Sequence, residues 1–184
     1  MAVELRCFLG HGASGSAASM TPYVNGLQSR GIAATAIDLP KRRAEDAAPA
    51  FHGVVPREPW AVVGGQSYGG RVASLAAAEP DAPYAALVLF CYPLHPPGSP
   101  DKAEARTAHW PQIRCPVLLL SGEADPFAKI DLLRAAVPRL GGEAELVTYP
   151  KVGHGLLPVL DDALDRVAAF LASHASGAPA DPLP

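Results

Sequence analysis

Six short apolar runs, separated by stretches of helical character, constrain the fold of this chain more than any other feature. Within the third, fourth and fifth runs apolar residues are nearly continuous, whereas a strand with one solvated face would alternate apolar and polar residues. Such strands are covered on both faces, as in a parallel sheet. We therefore predict an α/β protein, a three-layer α/β/α sandwich with about six parallel strands. The runs are residues 3–9, 33–38, 60–64, 85–90, 116–121 and 144–149.

Helical stretches lie between these runs. The first is expected to have Thr21 as its N-cap and Pro22 at its first position, and to stop at Gly31. A long connection over residues 92–115 carries five prolines, so it holds at most a short helix, and connections of that length are often functional. The other helices are predicted at about residues 43–55, 67–79, 127–137 and 159–173.

Length and composition favour one globular domain over residues 1–173. The segment from His174, residues 174–184, is rich in Ala, Pro and Gly without an apolar period, and we expect a disordered tail. A chain that is 49% apolar and 18% charged is typical of soluble proteins, and a net charge of -3 argues against a nucleic-acid partner. We expect no export segment and no membrane association, because no apolar run is long enough.

The three cysteines, Cys7, Cys91 and Cys115, are far apart and lie in or beside strand-like runs. Reduced core thiols, and hence a cytoplasmic location, are the expected interpretation. No H-x-x-x-H or C-x-x-C spacing occurs, so we predict neither a metal site nor a cofactor.

The segment LGHGASG, residues 9–15, follows the first strand with the spacing G-x-G-x-x-G. This spacing is typical of dinucleotide-binding loops, and Asp38 lies where such folds place a ribose-binding acid. In those folds, however, the helix begins inside the loop, which here would put Pro22 in a helix interior at a cost of about 3 kcal/mol. We therefore disfavour the dinucleotide interpretation.

The segment VVGGQSYGG, residues 62–70, passes from an apolar strand into a helix-compatible stretch. Its G-x-S-x-G pattern in that setting is typical of a nucleophile elbow, a tight turn that raises a serine hydroxyl above the sheet edge. Ser67 is the predicted nucleophile. The alternative is a glycine-rich turn whose serine only caps the helix.

A serine nucleophile needs a base and an orienting carboxylate in later loops. Asp125 follows the fifth strand and His154 the sixth, each after a separate strand. Asp125 could equally cap the next helix, whereas His154 lies between two glycines, where packing gives no reason for an imidazole. Of the other histidines, only His95 is expected to have the position after a strand that a base needs.

If the strands are ordered 2-1-3-4-5-6, the glycine loop and Ser67 flank the crevice where the order reverses. The loop would then supply one backbone N–H of an oxyanion hole, from Ala13 with Ser14 as the fallback, and Tyr68 would supply the other. We expect Ser14 and His95 to contact substrate, with a structural role for His95 equally open.

These motifs together resemble the α/β-hydrolase superfamily, and within it the small dienelactone-hydrolase-like branch that includes testis-expressed hydrolase-like proteins and a chromatin-complex subunit. The resemblance implies a reduced α/β-hydrolase fold of about six parallel strands with a minimal cap. Dienelactone hydrolases have a cysteine nucleophile where this chain has Ser67, so lactone specificity is not implied. The segments that carry the resemblance are GHGASG at 10–15, GGQSYGG at 64–70, CYPLHPPG at 91–98, LLLSGEADPF at 118–127 and VGHG at 152–155.

The sequence thus predicts a monomeric or homodimeric serine hydrolase that cleaves a small carboxylic ester or thioester through an acyl-enzyme. Ser67, Asp125 and His154 are its predicted catalytic residues. Two alternatives remain open. One is a non-catalytic interaction module on a hydrolase scaffold, since function depends on the site and not on the fold. The other is an acyltransferase that uses the same residues.

Overall fold

A computed structural model describes residues 4–175 as a six-stranded sheet with helices on both faces. All five strand pairs are parallel, and the order is β2-β1-β3-β4-β5-β6. The predicted fold class and strand order are therefore confirmed. The strands are β1 (Arg6–Gly10), β2 (Ala33–Ile37), β3 (Ala61–Gln66), β4 (Ala86–Phe90), β5 (Val117–Gly122) and β6 (Ala144–Tyr149).

Side chains that alternate along the strands divide the core into two layers. Phe8, Val63 and Leu87 point to one face, whereas Leu9, Val62 and Val88 point to the other. Since both faces are covered, every one of these side chains is buried, which explains the absence of apolar and polar alternation in the sequence.

Three helices cover one face of the sheet and two cover the other. The helices are α1 (Thr21–Gln28), α2 (Ala44–His52), α3 (Tyr68–Ala77), α4 (Ala103–Thr107), α5 (Ile130–Ala136) and α6 (Leu160–Ala175). The sheet face that carries Phe8 packs against α2, α3 and α5, and the face that carries Leu9 packs against α1 and α6.

The first helix differs from the prediction at its start. A 3-10 helix over Ala17–Met20 leads directly into α1, so Thr21 is the first residue of the helix and not its N-cap. The Thr21 hydroxyl donates back to the carbonyl of Ala18 at 2.8 Å instead of capping a helical N–H. Pro22 lies in the first turn, and Gly31 has the positive φ of 75° expected after the helix end.

The last helix extends two residues into the segment predicted as a tail. The His174 Nδ1 lies 2.8 Å from the Phe170 carbonyl oxygen, and its ring packs 4.4 Å from the Phe170 ring. These contacts continue α6 to Ala175, so His174 does not begin the tail. The rest of that predicted segment lies outside the described residues.

The long connection over residues 92–115 packs beside α3. Leu94, Trp110 and Ile113 are fully buried in the same core layer as α3. Its regular structure is limited to α4 and two single 3-10 turns, as the proline content predicts. The connection therefore adds to one helical face of the sandwich and does not form a separate domain.

A buried polar contact joins this connection to α3. The His109 Nε2 lies 2.8 Å from the Ser74 Oγ, and Ser74 has no exposed surface. Burial, followed by the nearby Arg71 guanidinium, lowers the pKa of His109 from 6.5 to about 4. The folded protein therefore keeps this imidazole neutral at pH values where the unfolded chain protonates it.

We predict that His109 makes the protein less stable as the pH falls from 6.5 towards 4. In that window the unfolded state binds up to one more proton than the folded state. The free energy of unfolding of the wild type therefore falls by up to about 3 kcal/mol more than that of a His109→Gln variant. Urea denaturation of both proteins between pH 7 and pH 4 measures the difference. Parallel stability curves for the two proteins over this range would contradict the prediction.

Candidate active site

Ser67 lies at the turn between β3 and α3, with backbone angles of φ 52° and ψ -114°. A positive φ is uncommon for a residue with a Cβ and costs about 1–3 kcal/mol. The turn is held in place by the Ser67 N–H, which donates to the carbonyl of Phe90 at the end of β4 at 2.8 Å. Ser67 therefore occupies the strained strand-to-helix position that the sequence pattern predicts.

Glycines allow this turn to pack directly on β1. A Cβ at Gly65 or Gly69 would lie much closer to the Gly10 carbonyl than van der Waals contact allows. The Gly69 N–H also donates to the His11 carbonyl at 2.9 Å. Backbone contact thus fixes the first turn of α3 against the loop that follows β1.

Ser67, His154 and Asp125 form one hydrogen-bonded chain across the ends of three strands. The His154 Nε2 lies 2.7 Å from the Ser67 Oγ. The other ring nitrogen, Nδ1, lies 2.7 Å and 2.9 Å from the two carboxylate oxygens of Asp125. The Asp125 side chain has no exposed surface, whereas that of His154 is 19% exposed. The structure therefore brings together the three residues that the sequence singled out.

Asp125 orients the turn that carries it and does not cap a helix. Its Oδ1 accepts the Phe127 N–H at 2.8 Å, while α5 begins at Ile130 with Lys129 in the N-cap position. The carboxylate thus makes a local hydrogen bond and the bond to His154 together. Hydrogen bonds to both groups offset the cost of burying the carboxylate.

Phe127 contacts the imidazole of His154, and this contact is not among those predicted from the sequence. The two ring centroids are 4.3 Å apart with an interplanar angle of 35°. Phe127 lies only two residues after Asp125, so one turn supplies both the carboxylate and a flat apolar surface for the ring. An aromatic residue beside a candidate acid is the signal that could have indicated it.

The loop after β1 is fixed by His11, which is 2% exposed. Its Nδ1 lies 2.7 Å from the Gly12 carbonyl oxygen, and its Nε2 accepts the Leu39 N–H at 3.0 Å. These partners require a neutral imidazole with the proton on Nδ1. His11 directly follows β1, so the expectation that only His95 among the other histidines follows a strand is wrong.

Asp38 and Gln66 occupy the neighbourhood of the glycine loop. Asp38 accepts the Ala17 N–H at 2.7 Å, which ties the end of β2 to the 3-10 helix after the loop. The Gln66 side chain lies so close to Gly12 that a Cβ at Gly12 would overlap its amide oxygen. The loop thus packs against the Ser67 turn. A dinucleotide-binding loop requires the helix to start inside the loop, whereas here α1 starts after it.

The backbone amides of Ala13 and Tyr68 are the predicted oxyanion donors. Tyr68 is the first residue of α3, where helical N–H groups have no partner within the helix. Among residues 4–175, neither the Ala13 nor the Tyr68 N–H donates a hydrogen bond to a protein acceptor. The hydrogen bond from the Gly69 N–H to the His11 carbonyl holds the glycine loop beside the start of α3. The N-terminus of this helix favours negative charge near the two amides.

The two predicted substrate contacts, Ser14 and His95, differ in their surroundings. Ser14 is exposed on the glycine loop. His95 is only 4% exposed, and both its ring nitrogens lie within hydrogen-bond distance of backbone groups, the Pro96 carbonyl and the Lys129 N–H. The structural role left open for His95 therefore fits these contacts better than a role as a pocket wall.

No cluster of His, Cys, Asp and Glu within residues 4–175 could hold a metal ion. Over the same part of the chain, no helix combines the length and apolar character needed to span a bilayer. A cavity of about 250 Å³ lies at the amino-terminal ends of β1 and β2, between Leu5, Ile32 and Leu171. This cavity does not reach Ser67.

The model of an alpha/beta hydrolase domain matches residues 6–178. The chain belongs to the alpha/beta hydrolase family. The resemblance inferred from the motifs is therefore confirmed at the level of the family. No curated protein matches the chain significantly.

Solved structures of alpha/beta hydrolases share this fold at low sequence identity. A structure of the metagenome-derived lipolytic enzymes LipS and LipT is 16% identical, with a TM-score of 0.76 over 95% of this chain and 96% of that chain. The monoacylglycerol lipase of Paleococcus ferrophilus is 16% identical, with a TM-score of 0.77 over 91% and 94%. A dienelactone hydrolase from Anabaena variabilis is 22% identical, with a TM-score of 0.66 over 92% and 86%.

The backbone strain at Ser67 predicts an unusual order of stability for two variants. Ser67→Gly and Ser67→Ala both remove the hydroxyl, but only glycine removes the Cβ that makes a positive φ unfavourable. We expect the glycine variant to be more stable by about 1 kcal/mol, after allowance for the greater freedom of glycine in the unfolded chain. Thermal and urea denaturation measure the difference.

Ser173 on α6 is the matched control, because it has an exposed helical position. There we expect the opposite order, with alanine more stable than glycine by about 1 kcal/mol. If alanine were the more stable residue at both positions, the Ser67 backbone would not carry the strain described here.

Proposed function

We propose that this alpha/beta hydrolase is a serine hydrolase that cleaves small carboxylic esters or thioesters through an acyl-enzyme. The observation that carries the proposal is the unbroken hydrogen-bonded chain from the Ser67 hydroxyl through His154 to the buried Asp125 carboxylate. A hydroxyl, an imidazole and a carboxylate in this order are what a serine needs to act as a nucleophile at neutral pH.

The contacts support a role for each group in the first half of the proposed reaction. The lone pair of His154 Nε2 takes the Ser67 proton as Oγ bonds to the carbonyl carbon, and the carbonyl electrons move onto oxygen. The Nδ1–H of His154 stays hydrogen-bonded to Asp125, which stabilises the imidazolium. As the tetrahedral intermediate collapses, Nε2 gives its proton to the departing alkoxide or thiolate and leaves an ester on Ser67.

Water completes the second half of the reaction by the same path. His154 accepts a proton from water as the hydroxide attacks the acyl-enzyme, and then returns that proton to Ser67 as the acid departs. In both halves the Ala13 and Tyr68 N–H groups would receive the negative oxygen. Each such donor contributes about 3–4 kcal/mol in enzymes where one has been removed.

The packing of the long connection is in line with small substrates. This connection, which follows β4, is packed beside α3 in the core layer of that helix. We therefore propose that the acyl group is held mainly by its reacting end. Lipolytic enzymes and a monoacylglycerol lipase are among the structures with this fold, which is in line with ester chemistry.

Covalent labelling is the direct test of the proposed nucleophile. We expect a fluorophosphonate probe to modify the protein stoichiometrically at Ser67, because the imidazole activates only that hydroxyl. Ser67→Ala and His154→Ala should abolish labelling, and Asp125→Asn should lower kcat by about 10⁴-fold, as in the best-studied triads. Peptide mass spectrometry locates the adduct.

His52→Ala is the matched control for the imidazole, because His52 lies on α2 and pairs with Glu79 at 2.8 Å. It should be labelled like the wild type. A folded protein that remains unlabelled would exclude the hydrolase and favour a non-catalytic interaction module. Transfer of the acyl group to added alcohols or amines in preference to water would instead identify an acyltransferase.

This proposed mode of acyl binding also predicts a preference among acyl chains. With p-nitrophenyl esters of increasing length, we expect kcat/KM to be highest for about two to four carbons and to decline beyond them, because an acyl group held mainly by its reacting end gains little from added length. Steady-state kinetics across the series measures this. A steady rise in kcat/KM with chain length would instead require an apolar groove beside Ser67.

A further inference from the structure

His95 makes three hydrogen bonds, two of which join the segment after β4 to the turn after β5. Its backbone N–H donates to the Phe127 carbonyl at 2.9 Å. Its ring accepts the Lys129 N–H at Nε2, at 3.0 Å, and Nδ1 lies 2.8 Å from the Pro96 carbonyl oxygen. These partners require a neutral ring with its proton on Nδ1.

The turn that His95 holds is the one that carries Asp125. Inside the turn, the Asp125 carboxylate accepts the Phe127 N–H, and the Ala128 N–H donates to the Asp125 carbonyl at 3.2 Å. His95 binds the same turn from outside, at Phe127 and at Lys129. The turn is therefore fixed from both sides, and neither set of bonds involves solvent.

This turn sets the position of His154 in two ways. It supplies the carboxylate that binds the His154 Nδ1, and it supplies the Phe127 ring that lies 4.3 Å from the imidazole. A displacement of the turn would lengthen the carboxylate bond and tilt the ring contact together. Displacements of about 1 Å in such groups can cost about 100-fold in rate.

We propose that His95 is a positioning residue, whose neutral imidazole fixes the turn over residues 125–129 so that Asp125 and Phe127 orient His154. The proposal rests on the proposed function for its effect on catalysis. His95 touches no reacting atom, and it acts through the Lys129 and Phe127 backbone.

The chemistry of the two ring nitrogens defines what this position requires. Nε2 accepts a hydrogen bond from the Lys129 N–H, and Nδ1 donates one to the Pro96 carbonyl. A glutamine amide reaches about as far as Nε2 and can accept there, whereas an asparagine amide reaches only the position of Nδ1. Glutamine can therefore keep the bond to the Lys129 N–H, whereas asparagine can keep only the bond to the Pro96 carbonyl.

The test compares His95→Gln, His95→Asn and His95→Leu in the full chain. We expect His95→Gln to keep kcat within about threefold of the wild type. His95→Asn and His95→Leu should lower kcat about 10- to 100-fold, with KM changed less than about threefold, because the substrate contacts remain. All rates are referred to the fraction of protein that binds the fluorophosphonate.

The two amide variants distinguish positioning from a general loss of structure. Glutamine restores an acceptor at the position of Nε2, so we expect rescue of kcat by glutamine and not by asparagine. Equal kcat values for the glutamine and asparagine variants would overturn the proposal.

A second measurement does not depend on turnover. NMR should show the hydrogen-bonded Nδ1 proton of His154 far downfield in the wild type and in His95→Gln, and broadened or shifted upfield in His95→Asn. Amide exchange at Lys129 should accelerate in His95→Asn and His95→Leu but not in His95→Gln. If the wild type neither binds the probe nor hydrolyses esters, the proposed function fails, and these signals still decide the role of His95.

His52→Gln and His52→Asn on α2 are the control pair, and we expect neither to alter kcat or the His154 proton signal. If His95→Leu does not fold, the two amide variants decide the question. If His95→Asn also fails to fold while His95→Gln folds and is fully active, the imidazole serves folding alone and the proposal is overturned.

Discussion

The backbone of β1 and the first turn of α3 pack against each other without any side chain between them. Gly10 lies in the space that a Cβ on Gly65 or Gly69 would need. This contact lets the Gly69 N–H reach the His11 carbonyl and so places the glycine loop beside the N-terminus of α3. The Ser67 turn, the two candidate oxyanion amides and the crevice between β1 and β3 all depend on that close approach.

Above this contact, the polar residues come from loops that follow different parallel strands. In a parallel sheet the carboxyl ends of all strands lie at one edge, so short loops from β3, β5 and β6 can meet there. The hydrogen bond between Ser67 and His154 spans 87 residues of sequence, and the one between His154 and Asp125 spans 29. The sheet itself therefore gives the site its geometry, and the loops remain short.

Two buried histidines support the site in the same manner. In both His11 and His95, Nδ1 lies close to the carbonyl of the next residue, and Nε2 accepts an N–H from a distant loop. Such a ring links two loops through a backbone N–H of the distant loop and a backbone carbonyl of its own. One histidine holds the loop with the candidate oxyanion amide of Ala13, and the other holds the turn of Asp125.

The sequence by itself determined the parallel sheet and singled out Ser67, Asp125 and His154, because local patterns encode them: continuous apolar runs, a strand–glycine–serine–glycine turn, and polar residues directly after strands. Tertiary structure decided the rest. The partners of His11 and His95 lie 28 and 34 residues away in sequence, and no spacing rule relates them. Likewise, the start of α1 depends on the preceding 3-10 helix, and the contact of Phe127 with His154 depends on how two separate turns pack.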